Sequence, residues 1–289
     1  MRNVKDIFQS RACPVSFEIF PPKGELTLEA AREVAGGIAR VAPDFISVTY
    51  SAGGSGNGQA TTAIAAMIQD ELGIPSVAHL TCVSATDASL EAAVADMRAR
   101  GVTTVLALRG DLTEGQEPSR FRYAADLIPL LKDAGFCVGA AAYPEGHITC
   151  EDDALNIEHL KAKQDAGADF FVTQLAFDNE CIYRFLDAAD AAGVTAPITC
   201  GIMPFMSKSQ ISRMVFLCGA SLPSPVIKLL AKHEDDPAAL RQAGVEYACR
   251  QLVDLAAHGV AGVHVYSMNH PDIAESTTRA LRQAGFCGA

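Results

Sequence analysis

Eight short apolar runs, each closing on a polar residue and each followed by a helical pattern, set the strongest limit on how this chain can fold. They span 15–20, 45–50, 76–82, 104–109, 137–143, 169–175, 197–203 and 262–268, and carry β-branched and aromatic residues. Helical patterns fall at 27–41, 60–72, 87–100, 120–134, 152–166, 180–192 and 272–284, with a longer stretch at 207–258. Strands that read as near-continuous apolar runs are buried on both faces, which indicates parallel pairing. Over 289 residues this alternation predicts an α/β chain forming a (β/α)8 TIM barrel, one catalytic domain covering 1–289. A doubly wound sheet is the other arrangement the pattern allows. The interval 207–258 exceeds one barrel helix, so an extra helical insertion is expected before strand eight. Its breaks are expected at Pro223-Ser224-Pro225 and Asp235-Asp236-Pro237. Gly73, Gly101, Gly135, Gly167, Gly193 and Gly259 each stand between a helical pattern and the next strand, where a left-handed residue closes a helix.

A net charge of −11 argues against nucleic acid or an anionic membrane as the main partner, since both attract basic surfaces. The first residues lack the apolar core of a signal peptide, and no apolar run is long enough to cross a bilayer. A cytoplasmic location is the expectation. Nine cysteines are scattered without a Cys-x-x-Cys pair, mostly inside apolar runs where a thiol packs as a small hydrophobe. Neither a disulfide framework, a zinc site nor a cluster bound by this chain is expected.

In such a barrel the C-terminal strand ends and the loops after them build the site. Those positions hold Glu18, Thr49-Tyr50, His79, Arg109-Gly110-Asp111, Tyr143 with His147, Gln174 and, after strand seven, Gln210. Glu18 stands out: a carboxylate between Phe17, Ile19 and Phe20 is costly unless it has a partner or a task. The same burial would raise its pKa by disfavouring the charged form. No compact metal-ligand motif, dinucleotide fingerprint, phosphate-binding Lys-Ser/Thr loop or nucleophile elbow is present. The glycine-rich run from Gly53 to Gly58 reads as a βα loop. An acid, polar donors, a carboxylate beside an arginine and aromatic surface suit a planar heterocyclic cofactor better than simple hydrolysis.

The runs Ser16-Phe17-Glu18-Ile19-Phe20-Pro21-Pro22-Lys23, Ser47-Val48-Thr49-Tyr50, Ala78-His79-Leu80-Thr81-Cys82, Ala107-Leu108-Arg109-Gly110-Asp111 and Tyr143-Pro144-Glu145-Gly146-His147 resemble the 5,10-methylenetetrahydrofolate reductase family. So do Leu160-Lys161-Ala162-Lys163, Asp165-Ala166-Gly167-Ala168-Asp169, Thr173-Gln174 and Gly201-Ile202-Met203-Pro204, in family order across nearly the whole chain. The resemblance implies a (β/α)8 barrel binding FAD noncovalently at its C-terminal face. It further implies reduction of methylenetetrahydrofolate to methyltetrahydrofolate, a step of one-carbon metabolism toward methionine. Glu18 then matches the general acid that opens the folate ring to the hydride-accepting iminium, and Asp111 the carboxylate beside the flavin that also faces the folate. Thr49, Tyr50, Ala52, His79, Arg109, Gly110, Ala124, Tyr143, His147, Asn156 and Lys163 match cofactor-contacting positions, with Arg109 and Lys163 suited to the pyrophosphate. Gln174 and Gln210 match folate-contacting positions.

Three positions depart from the NADH-using members. Met214 stands where an aromatic residue stacks on folate or nicotinamide, His270 where an arginine meets the folate tail, and Asn156 where an aspartate is usual. The electron source therefore stays open between NADH or NADPH directly and an iron–sulfur partner subunit. A flavin-free pterin-binding methyltransferase barrel is the competing enzyme class, and a non-catalytic subunit that keeps the fold the third reading. Family members are commonly homo-oligomers, which is the expectation for this chain.

Overall fold

The computed structural model describes residues 3–21, 28–50, 58–111, 119–150 and 152–286. Eight parallel strands close on themselves in sequence order: β1 (Val15–Ile19), β2 (Phe45–Val48), β3 (Ser76–Thr81), β4 (Thr104–Leu108), β5 (Cys137–Ala142), β6 (Phe170–Thr173), β7 (Ile198–Ile202) and β8 (Val263–Tyr266). Each falls inside one of the eight expected runs. The helices between them are α2 (Leu28–Ala39), α3 (Gly58–Leu72), α4 (Asp87–Ala99), α5 (Ala124–Asp133), α6 (Asp153–Asp165) and α7 (Asn179–Ala191). Three more, α8 (Lys208–Cys218), α9 (Ser224–Lys232) and α10 (Pro237–His258), separate β7 from β8, and α11 (Pro271–Gln283) follows. α9 and α10 begin at the two expected proline breaks, because proline suits a first helical turn and cannot continue a preceding helix. All six interelement glycines have positive φ. No described helix is long and apolar enough to cross a membrane.

The period of two along each strand sorts side chains between the barrel interior and the helical shell. On β1, Val15, Phe17 and Ile19 join the main core against the helices, while Ser16 and Glu18 face the alternate side. The lower interior is apolar: Phe45, Val77, Leu106, Cys137, Phe170 and Val172 pack together. A helix absent from the sequence reading, α1 (Val4–Ser10), closes this end by adding Val4 and Ile7 to that cluster. Its cap is a reciprocal bond between Asn3 and Asp6.

Asp169, at the foot of β6, anchors this floor. Its carboxylate accepts from Lys132 Nζ at 2.6 Å, Lys5 Nζ at 3.1 Å and the Val138 amide at 2.9 Å. Burial pushes its pKa up, but the bonds from Lys132, Val138 and Lys5 outweigh that and hold it below the ordinary range. A depressed carboxyl contributes stability above its unfolded pKa, about 3.9, and loses it as pH falls through the folded value. Replacement of Asp169 by Ala should therefore cost about 3 kcal/mol by urea unfolding at neutral pH. The cost should shrink in acid, where wild type has lost the same contribution.

Candidate active site

Above the apolar floor the interior turns polar. The ladders place Ser16 beside His264 of β8, and Glu18 between Ser47 of β2 and Tyr266 of β8. Glu18 Oε2 lies 3.5 Å from His79 Nε2 and 3.7 Å from His264 Nε2, and Ser47 Oγ donates to it at 3.5 Å. His264 is fully buried and His79 nearly so. Burial raises the Glu18 pKa, as expected from its apolar neighbours. The bond from His264, the charges of His79 and His264, and the Ser47 hydroxyl pull it down further than burial lifts it. The expectation that burial alone keeps Glu18 protonated is thus corrected: two imidazoles supplied by distant strands reverse the sign. His79 is itself lowered, chiefly by burial, against the pull of Glu18.

The backbone around Glu18 is fixed by the turn after β8. Ser267 Oγ donates to the Glu18 carbonyl at 2.7 Å, and the Asn269 amide pairs with Phe20 through both its oxygen (2.9 Å) and its nitrogen (2.8 Å). Met268 and Asn269 adopt left-handed backbone to make this turn, with φ of 53° and 61°. Replacing Asn269 by Ala should cost about 2 kcal/mol, from two buried backbone groups left unpaired and a left-handed alanine. A drop of several degrees in Tm would register it.

A second cluster flanks the first. Lys163 of α6 is buried, donates to the Ala141 carbonyl at 2.5 Å, lies 5.4 Å from the Tyr143 ring and meets no carboxylate among the described residues. Burial lowers its pKa to about 8. Tyr143 packs edge-on against His147 at 4.8 Å, and burial pushes its phenol up to about 12. The Thr149 amide donates to His147 Nδ1 at 3.1 Å. Burial lowers the His147 pKa, Arg109 lowers it further, and Asp111 opposes both. Arg109 bonds to the Gly110 carbonyl at 3.2 Å and forms no ion pair with Asp111 among the described residues. Gly110 has φ of 83°, and a Cβ there would stand 2.9 Å from the Thr81 side chain, so the chain crosses Thr81 only as glycine. Asp111 is exposed, yet its charge is felt by Tyr143, His147 and the Cys218 thiol, which also feels Glu18. Both clusters therefore look onto one mouth.

The remaining expected residues divide. Thr49 continues the β1–β2 ladder by donating to Ile19, and its carbonyl accepts from Thr61. Tyr50 covers Gly58, where a Cβ would lie 3.0 Å from its ring and hydroxyl. Ala124 opens α5. Asn156 is buried and spends its amide on the Tyr143 carbonyl at 2.8 Å, bracing that loop. Gln174 Oε1 accepts from the Leu175 amide at 2.9 Å, and Gln210 Oε1 from the Met206 amide at 2.7 Å. Each keeps its amide nitrogen for another acceptor, a Met203 sulfur contact at 4.0 Å apart in Gln210. Met214 packs into the apolar cluster under α8. His270 is exposed, 3.8 Å from Asp272, at the start of α11. Ala52 lies outside the described residues.

Ser16, Ser47, His264, Tyr266, Ser267, Asn269 and Glu145 were not singled out from the sequence. Ser16, Ser47 and Glu145 stand inside runs that carry the family resemblance, and the others were marked only by polarity on or just after β8. Tyr266 Oη donates to the Thr173 carbonyl at 2.5 Å. Gly201 makes that approach possible, since a Cβ there would stand 2.4 Å from the same carbonyl and 2.7 Å from the Tyr266 ring. Glu145 accepts from the Ser221 amide at 3.1 Å and from its hydroxyl, tying the loop after β5 to the α8–α9 connection.

A closed parallel barrel with a half-buried carboxylate, two imidazoles and a buried lysine that meets no carboxylate among the described residues has, at its C-terminal mouth, the layout of a barrel enzyme. The chain belongs to the methylenetetrahydrofolate reductase family, whose model matches residues 3–284. It is 33% identical over 271 residues to the 5,10-methylenetetrahydrofolate reductase of Escherichia coli, covering 92% of this chain and 90% of that one. It is 35% identical over 267 residues to methylenetetrahydrofolate reductase 1 of Schizosaccharomyces pombe, covering 88% of this chain but 43% of that protein. Among solved structures, a Clostridium thermocellum protein that binds two copies of 5-methyl-5,6,7,8-tetrahydrofolic acid superposes with a TM-score of 0.69 at 16% identity, over 98% of both chains. At that identity the likeness concerns the fold.

Proposed function

We propose that the barrel acts as one catalytic domain that reduces 5,10-methylenetetrahydrofolate to 5-methyltetrahydrofolate, with Glu18 as the proton donor. The single observation that carries the reading is the half-buried Glu18 carboxylate facing two imidazoles at the mouth, in a chain of the reductase family. A group that donates a proton must hold one at the moment of transfer. Burial favours that form, and His79 and His264 stand 3.5 and 3.7 Å away as proton holders.

FAD fits the second cluster. Among the described residues Lys163 is a buried cation with no carboxylate partner and His79 Nε2 has no hydrogen bond, and Gly110 opens room beside Thr81. Bound FAD would supply the two-electron carrier. Lys163 and Arg109 would hold its phosphates, Lys163 as a point charge and Arg109 as a planar fork. Tyr143 and His147 would offer ring faces, and Asp111 would set a negative charge at the mouth where the two ligands meet. Gln174 and Gln210 would give their free amide nitrogens to the folate. The electrons come from NADH or NADPH, or from an iron–sulfur partner subunit.

Reconstitution with FAD tests this. The protein should bind the yellow cofactor stoichiometrically and turn over folate with one of the three donors under anaerobic conditions. Protein that stays colourless after reconstitution overturns the reading.

A further inference from the structure

His264 is the most enclosed titratable side chain around Glu18, and its ring is fixed from below. Ser16 Oγ lies 2.7 Å from Nδ1 and 3.2 Å from the Val263 carbonyl. One hydroxyl hydrogen cannot serve two acceptors, and the carbonyl can only accept. Both bonds are made together when Nδ1 carries a hydrogen and donates to Ser16, which donates on to Val263. Nε2 then carries the lone pair, and it faces Glu18. Phe45 stacks on the ring at 6.1 Å and Tyr266 meets it edge-on at 5.3 Å, so little freedom to flip remains. Ser47 Oγ stands to one side of both groups, 3.4 Å from Nε2 and 3.5 Å from Glu18 Oε2, which are themselves 3.7 Å apart.

We propose that Ser47 relays one proton between Glu18 and His264, making His264 a positioning residue that sets when Glu18 is in its acid form. In one arrangement the Glu18 carboxyl donates to Ser47 Oγ and Ser47 donates to the Nε2 lone pair, with both end groups neutral. In the other, Nε2–H donates to Ser47 Oγ and Ser47 donates to the carboxylate, leaving an ion pair. The hydroxyl reverses direction: the Glu18 O–H and Ser47 O–H bonds break, new O–H and N–H bonds form, and no atom or charge is left over. Burial favours the neutral pair and the imidazoles favour the ion pair, and at Glu18 the imidazoles are the stronger influence. The other titratable groups that share the field of Glu18 are His79 on β3, Tyr266 on β8 and Cys218 on α8. None of them is bonded to Ser47 or Ser16 among the described residues.

The inference deepens the reading of Glu18 as proton donor, and its test does not need turnover. Infrared titration of the protonated carboxyl band, assigned to Glu18 by its loss in Glu18→Gln, reads the acid form directly. Nitrogen NMR of labelled histidine reads the His264 tautomer in the unaltered protein. We expect an Nδ1–H neutral ring, and a Glu18 midpoint that rises by roughly 1–3 pH units in His264→Asn, where burial acts without the opposing imidazole. Ser47→Ala should keep the fold yet uncouple the two titrations. An Nε2–H neutral tautomer, or a midpoint unmoved in either variant, overturns the relay. Should the protein fail to reduce folate, these titrations still decide the proton sharing.

Discussion

In Glu18→Gln, transfer from reduced enzyme to the folate should fall by roughly 10²–10⁴-fold, the range for removing a general acid. Reduction of the enzyme by its own donor should stay near the wild-type rate. The amide keeps the shape of the carboxyl and can still accept from Ser47, so the barrel should fold with little change in Tm. What is lost is the exchangeable proton. Rapid mixing of each half-reaction separately checks this, and equal losses in both would assign Glu18 to structure. The pH dependence carries a further sign. Because the imidazoles hold Glu18 below the ordinary carboxylate range, its acid form grows as pH falls, and the folate step should speed up toward acid until cofactor or fold is lost. Glu18→Gln should flatten that limb.

Lys163→Met should weaken cofactor binding by roughly 10- to 100-fold, as expected for removing a charge-assisted contact in a buried setting. The methionine fills much the same space, so lost affinity rather than a cavity should dominate. With the Lys163 pKa lowered to about 8 by burial, the free site loses its cation as pH rises through that value. Affinity for an anionic cofactor should then fall by up to tenfold per pH unit above about 8, since a bound phosphate would pull the proton back on. The slope should vanish in Lys163→Met. Fluorescence quenching of titrated flavin measures both effects, and an unchanged slope would assign Lys163 only to its bond with Ala141.

Much of the architecture was readable because it is local. Strand periodicity, proline breaks and helix-closing glycines depend on residues within one or two turns of each other, and all eight strands lie within the expected runs. α1 escaped because its seven residues make fewer than two turns of pattern, and its role comes from covering a barrel end that has no local signature. The candidate site was readable where chemistry sits at a strand end, as with Glu18, His79, Arg109 and Tyr143, whereas Lys163 lies on α6 and was marked only by the family resemblance.

The eight-fold alternation and the carboxylate set among Phe17, Ile19 and Phe20 are properties of neighbouring residues and are legible along the chain. The direction in which that carboxyl's pKa moves comes from barrel closure. Ser16 and His264 are 248 positions apart, and closure of the barrel alone brings them to 2.7 Å. Hydrogen bonds need their atoms within about 3.5 Å, and Coulombic interactions weaken with distance through space, whatever the separation along the chain. Groups that are remote along the chain and adjacent in space therefore reverse what burial alone dictates.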